Sequence, residues 1–359
     1  MNVLVYAGHP AHVHLFKNII RRLETNGHNV IIAAIDKEFT TYLLEIYGFK
    51  YKVIGKHYKR LSAKILSLGI RDYKLLRISK KFEPDLFVSH GSMYASHVAK
   101  IMNKPHISLE DTELSMEQIR LYAPFTDVIL TPACFRLDLG KKQVRYDGYH
   151  EISYLHPNYF TPSTEVLDEL GLSKNDKYII VRFISWGASH DVGLRGIRKG
   201  TEMEFIKTLE KYGQVFVSSE KKIDRNLEKY RISVSPEKIH SLLYYAQLYI
   251  GEGGTMATEA AILGTPSIHI ESTSSGVASG EFTGNFLELR NRYGLLFFYS
   301  DQNQALNKAI GILEDKTSKR KWRKKRDRLI EDKIDVTAWI TDFIERYPES
   351  YYEYRDSCR

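Results

Sequence analysis

Cysteine is scarce in this chain: only Cys134 and Cys358 among 359 residues. A disulfide framework is thereby excluded, and a reducing cytoplasm is the expected setting. No run of about eighteen apolar residues occurs, so no membrane-spanning segment is expected. The start, Met1-Asn2-Val3-Leu4-Val5-Tyr6, has neither a basic leader region nor a long apolar core, and no signal peptide is expected. Helix-turn-helix, zinc-finger and RRM signatures are missing, so nucleic acid is not an expected partner. No Asp-x-Asp motif closes a strand, and His12 with His14 has no third ligand nearby in sequence. No metal site and no cofactor beyond a substrate are therefore expected.

What is present fits a soluble globular protein, with 43% apolar and 27% charged residues. The length suits two domains. A formal charge of +8 and a pI near 9.1 suit an anionic partner such as a nucleotide or a phospholipid surface. Apolar strand-like runs at 2–7, 30–35, 51–54, 85–89, 106–109 and 128–131 alternate with helix-like stretches at 13–26, 39–47, 63–82 and 93–102. The same alternation resumes with strands at 177–184, 214–218, 248–250 and 267–270. This pattern predicts an α/β protein with two Rossmann-like, doubly wound parallel sheets. His156-Pro157-Asn158-Tyr159-Phe160-Thr161-Pro162 reads as an extended linker. The expected domains are 1–155 and 156–334.

The most informative stretch is 248–270. Leu248 to Ile250 reads as a strand, followed by Gly251-Glu252-Gly253-Gly254, a short helix capped by Thr255, a turn at Gly264-Thr265-Pro266 and a further strand. Free N–H groups at the start of that helix favour an anion. Glu259, one turn beyond Thr255, can turn its carboxylate to the same side, where such a group can accept hydrogen bonds from ribose hydroxyls. The plainer alternative is a tight strand-to-helix turn with an exposed glutamate.

The spacing of Gly253, Gly254, Glu259 and Gly264-Thr265-Pro266 resembles the C-terminal-domain motif of GT-B-fold enzymes. Similar patterns occur in the N-acetylglucosaminyltransferase that makes lipid II and in the non-hydrolysing UDP-N-acetylglucosamine 2-epimerases. The whole chain resembles an uncharacterised, largely archaeal glycosyltransferase-like family. The resemblance implies two domains facing a cleft. Gly253, Gly254 and Thr255 would hold a pyrophosphate and Glu259 a ribose. At the end of the strand at 177–184, Arg182, Ser185 and His190 would hold the donor, and Trp186 could lie against a ring. Glu271 and the Ser/Gly loop after it would meet the donor sugar. In the first domain Gly8 and His12 match the loop that opens many GT-B transferases, although Ala11 replaces a glycine and Leu15 a proline. His90-Gly91-Ser92 resembles the epimerase His-Gly-Asp segment, with serine where the aspartate belongs, and Glu110 matches an epimerase glutamate.

Loss of that aspartate favours a transferase over an epimerase. The expected reaction is metal-independent transfer of a sugar from a nucleoside-diphosphate donor, UDP-linked by resemblance. A 2-epimerase and a non-catalytic nucleotide-sugar-binding protein are the alternatives. His12, at a helix start where the dipole disfavours imidazolium, is the expected general base, with Glu110 and Asp111 in reserve and His90 and Ser92 near the acceptor. The basic stretch 316–328, with Trp322, reads as a solvated helix with one buried stripe. Its alternative is peripheral contact with an anionic membrane at the inner face, which would suit a lipid-linked acceptor. The last helix, from 335, is expected to pack back on the first domain.

Overall fold

The computed structural model describes residues 1–37, 39–56, 61–185, 193–219 and 223–357, with backbone only for 61–67. Contacts divide the chain into two compact units: Met1–Tyr154 with Ile334–Arg359, and Leu155–Lys333.

The first unit contains β1 (Asn2–Ala7), β2 (Asn29–Asp36), β3 (Tyr51–Lys56), β4 (Leu86–His90), β5 (His106–Leu109), β6 (Val128–Pro132) and β7 (Gln143–Tyr146). They pair in the order β3-β2-β1-β4-β5-β6-β7, every pair parallel. Helices cover both faces, which is why the central strands are apolar runs; Val3, Leu4 and Val5 are buried in succession. The second unit contains β8 (Tyr178–Phe183), β9 (Gln214–Ser219), β10 (Leu248–Gly251), β11 (Ser267–Ile270) and β12 (Leu296–Tyr299). Their order is β12-β11-β10-β8-β9, again all parallel. Both sheets are doubly wound, as the alternation predicts. Two edge strands, β7 and β12, escape the sequence reading.

The helices that position the candidate site are α1 (Pro10–Thr25), α2 (Met93–Ile101), α3 (Ile239–Tyr245), α4 (Gly254–Ile262), α5 (Ser318–Asp332) and α6 (Val336–Glu345). Helix α1 begins three residues earlier than its apolar stripe suggests. His9 is its N-cap, its Nδ1 accepting from Ala11 N–H at 3.2 Å, and Pro10 fills the first helical position. That start places His12 in the first turn rather than in a preceding loop.

Helix α6 belongs to the first unit. Thr337 Oγ1 donates to the Ser153 carbonyl at 2.6 Å, and Asn18 Nδ2 of α1 donates to the same oxygen at 2.9 Å. Trp322 takes the buried stripe expected of α5, not the membrane-facing alternative. The indole on α5 is 6% exposed and its Nε1–H donates to the Leu295 carbonyl at 2.9 Å. The neighbouring cations are also used internally. Lys319 Nζ donates to the Tyr245 and Ala246 carbonyls at the end of α3, and Arg323 to that of Tyr244. Cations there complement the negative end of the helix. Among the described residues no helix is long and apolar enough to cross a membrane.

A Cβ built on Gly148 would stand 2.4 Å from Val336 Cγ2, so this glycine sets how closely α6 can approach. Gly148→Ala should destabilise the protein by about 1–3 kcal/mol through overpacking. Gly311→Ala, in the helix Gln302–Glu314 with nothing within 4 Å, should stabilise it by about 0.4–1 kcal/mol. Thermal denaturation of the two variants checks both signs; a Gly148→Ala protein as stable as the parent contradicts the packing assignment.

Candidate functional site

In an open parallel sheet, ligands bind beyond the carboxyl ends of the strands where the strand order reverses. In the first sheet that reversal lies between β1 and β4. Gly8 and His12 follow β1, and His90, Gly91 and Ser92 close β4. The rings of His12 and His90 lie 4.7 Å apart, and His12 is half-buried. His14, by contrast, is buried with its ring 5.6 Å from that of Tyr154, and makes no pair with His12 toward a metal.

The geometry revises the expected role of His12. The Gly8 backbone N–H donates to His12 Nδ1 at 3.3 Å. A backbone amide can only donate, so the neutral ring carries its proton on Nε2. Burial, then the neighbouring His90, His9 and Lys37, hold its pKa well below the ordinary histidine value. His12 therefore offers Nε2–H as a hydrogen-bond donor, not a lone pair as a base. Gly8 is needed close to this bond, since a Cβ there would meet the Tyr6 ring at 3.1 Å.

Glu110 is corrected as well. It is 2% exposed, with Oε1 accepting from Asp111 N–H at 3.1 Å and Thr112 N–H at 3.0 Å. Oε2 accepts from Tyr122 Oη–H at 2.8 Å. With both oxygens engaged in shaping the loop, Glu110 is not placed to take a proton from a substrate. Ser92, expected near an acceptor, is 5% exposed and caps α2, its Oγ accepting from Ala95 N–H at 3.2 Å.

Asp111 is different. His90 Nε2 lies 3.2 Å from its Oδ1, and Nδ1 of His150 lies 3.1 Å from its Oδ2. Burial pushes the Asp111 carboxyl up, but the two imidazoles, His150 foremost, more than reverse this and hold it well below the usual carboxylate range. Burial likewise pulls His90 down, yet its hydrogen bond to Asp111 and the charges of Asp111 and Glu110 leave it raised. The ligand atoms of His90, Asp111 and His150 all lie within 4.8 Å of one another, a cluster that the sequence reading does not anticipate. His150 had no sequence signal: it stands at the end of the first domain, sixty residues from His90.

In the second sheet the order reverses between β8 and β10. The glycine turn follows β10 and Arg182 lies at the end of β8. Gly251 (φ 156°) and Gly253 (φ 86°) press on Arg182; a Cβ at Gly251 would lie 2.4 Å from its carbonyl oxygen. The half-buried Arg182 guanidinium donates to Ser218 Oγ at 2.8 Å. Gly253, not Thr255, is the N-cap of α4, and no side chain caps that helix. Thr255 is exposed in its first turn, so the capping role expected of it is corrected. The turn is held from below by Glu252, 2% exposed, whose Oε2 accepts from Ile184 N–H and whose Oε1 accepts from Ile197 N–H, each at 2.8 Å.

Glu259 is 5% exposed and its Oε1 lies 3.0 Å from Nε2 of the buried His240 on α3. The sequence reading missed this partner because nineteen residues separate the two. Ser185 is exposed beyond β8. Glu271 follows β11, its Oε2 3.8 Å from Nε2 of buried His269, whose pKa burial lowers to about 3. Trp186 and His190 lie outside the described residues.

The Asp111–His90 pair has a defined pH signature. From the raised His90, its stabilisation is full below about pH 6.5 and is lost as pH rises through the folded value. From the depressed Asp111, it is present above about pH 3.9 and is lost as pH falls through the folded value. In chelator-treated protein, imidazole 15N resonances should show His90 titrating above His12. Asp111→Asn should lower the His90 midpoint, since burial then dominates; a midpoint that does not move contradicts the pairing.

Comparison with known proteins places this geometry. The structure is similar to that of a proposed UDP-N-acetylglucosamine 2-epimerase from Listeria monocytogenes, with a TM-score of 0.66 at 13% identity over 98% of this chain and 96% of that one. It is also similar to the glycosyltransferase SsfS6 of Streptomyces sp. SF2575 in complex with thymidine diphosphate, with a TM-score of 0.60 at 14% identity over 96% of this chain and 99% of that one. These likenesses show the GT-B fold. In sequence, the Uncharacterized protein MJ0665 of Methanocaldococcus jannaschii is 28% identical over 267 residues, 72% of this chain and 78% of that protein. A family model matches residues 1–338, and the chain belongs to that family, described as Protein of unknown function (DUF354).

Proposed function

We propose that the protein transfers a sugar from a nucleoside-diphosphate donor to an acceptor hydroxyl, with the second unit binding the donor. The observation that carries this reading is the turn after β10. An uncapped helix N-terminus, two glycines at positive φ and the Arg182 guanidinium converge at the strand-order reversal of a parallel sheet. Backbone N–H groups and a fixed cation there would stabilise charge on a departing diphosphate. The thymidine diphosphate bound by SsfS6, a protein of the same fold, supports this choice of ligand class. Glu259 Oε1 is paired with His240, and the ribose-reading role expected of Glu259 is left out of the proposal.

The first unit supplies the groups for the acceptor. His12 offers a hydrogen-bond donor through Nε2–H, and the Asp111 cluster is the region where the hydroxyl would lose its proton. The epimerase reading is less well supported, because Ser92 is a helix cap and both Glu110 oxygens are engaged. Incubation with UDP-N-acetylglucosamine and no acceptor, followed by analysis for a C2 epimer, separates the two.

Calorimetric titration with UDP- and TDP-sugars tests the donor assignment. Saturable binding is expected, and Arg182→Ala should weaken it by about 10–100-fold, as expected for loss of one charge-assisted contact worth about 1.5–3 kcal/mol. Binding that Arg182→Ala leaves unchanged would remove the proposed donor site.

A further inference from the structure

Three separate loop ends of the first unit meet at Asp111. His90 comes from the end of β4, Asp111 from beyond β5 and His150 from beyond β7. We propose that His90, Asp111 and His150 bind one divalent transition-metal ion of the zinc class, with a coordination position left open to an oxygen ligand.

The spacing fits. Zinc binds imidazole nitrogen and carboxylate oxygen at about 2.0–2.2 Å, which puts neighbouring ligands of a tetrahedron about 3.3 Å apart. Here Asp111 Oδ1 stands 3.2 Å from His90 Nε2 and Oδ2 stands 3.1 Å from His150 Nδ1, so each imidazole faces its own oxygen, and one ligand atom from each residue falls within 4.8 Å of the others. Two imidazoles and one carboxylate make a donor set used for zinc and for other divalent first-row metals.

His150 separates a metal site from a plain ion-pair cluster. Its ring is 4% exposed, yet neither nitrogen has a hydrogen-bond partner. Nδ1 is close to Asp111 Oδ2 but out of hydrogen-bond alignment. Buried polar atoms without an aligned hydrogen bond are costly, and a protein seldom keeps them without use. An ion beside the carboxylate would take the Nδ1 lone pair and an Asp111 oxygen together. A hydrogen-bonded His–Asp–His relay would account for His90 but not for His150.

The surroundings suit the role. Thr112 Oγ1 donates to Asp111 Oδ1 at 3.1 Å and orients the carboxylate, as outer partners of metal ligands do. His150 is held by the Tyr146 ring, nearly parallel at 6.2 Å. The His90 and Asp111 side chains each keep 18% exposure, which gives an ion a way in, while His150 closes the inner side. With three protein ligands, the remaining position would hold water or a hydroxyl, whose proton a metal makes easier to lose. The ion would thus serve the acceptor end of the reaction proposed above, but its binding does not depend on that reading.

The test uses the full-length protein, freed of metal by chelator and dialysis, titrated with zinc chloride by calorimetry and with cobalt(II) by visible absorption. No sugar nucleotide is present, so the result is independent of the donor assignment. One ion per chain is expected, with cobalt bands of low-coordinate geometry. His150→Gln and Asp111→Asn should weaken binding by about 10–100-fold or more. His28→Gln, whose imidazole pairs with Glu345 elsewhere in the unit, should leave it unchanged. Circular dichroism establishes that each variant is folded, and His90→Gln, at the more exposed ligand, replaces any that is not. Absence of saturable binding by the parent overturns the proposal, as does equal affinity in folded His150→Gln or His90→Gln.

Discussion

Glu252 is a carboxylate buried beneath the turn it shapes. Its two oxygens accept backbone N–H groups from Ile184 and Ile197, so it joins the end of β8 to the segment that returns toward the sheet. Without it those N–H groups would be unpaired in the interior, at about 1–3 kcal/mol each. With it, the chain after β10 can pass so close to Arg182 that only glycine fits at Gly251 and Gly253. The uncapped start of α4 and the guanidinium are thereby fixed beside one another before any ligand arrives, which is the condition for electrostatic stabilisation without reorganisation. Glu110 plays a similar part in the first unit. It binds the N–H groups of the loop that carries Asp111, and its Oε2 would lie 3.2 Å from a Cβ at Gly91. In both units a buried glutamate holds the loop that carries the functional groups.

The excess of positive charge has a related explanation. A stretch such as Lys319-Arg320-Lys321-Trp322-Arg323 invites a reading as a surface for anions. In the fold, Lys319, Arg323 and Lys325 donate to the carbonyls of Tyr244, Tyr245, Ala246 and Gly294, and the Arg323 guanidinium lies 3.4 Å over the Tyr244 ring. These three cations thus serve backbone carbonyls at the end of α3 and at Gly294, inside the second unit.

The alternation of apolar runs made both parallel sheets legible, because strands covered on two faces must be apolar throughout. It failed at the edges. Gln143-Val144-Arg145-Tyr146 has one aliphatic residue, and Leu296–Tyr299, apolar throughout, went unread. The glycine turn was legible for a local reason, since positive φ selects glycine. Side-chain partnerships were not. His240 with Glu259, and His150 with Asp111, join residues brought together only by the sheet order. The tautomer of His12 was equally hidden, because it depends on where the Gly8 N–H points.

Amide spectra of the full-length protein during titration with thymidine or uridine diphosphate test most directly whether the turn after β10 grips a diphosphate. The largest shifts should fall on the N–H groups of Gly253, Gly254 and Thr255 and on the Arg182 side chain. Shifts confined to other residues, with these resonances unmoved at saturation, would contradict the assignment of that turn as the donor site.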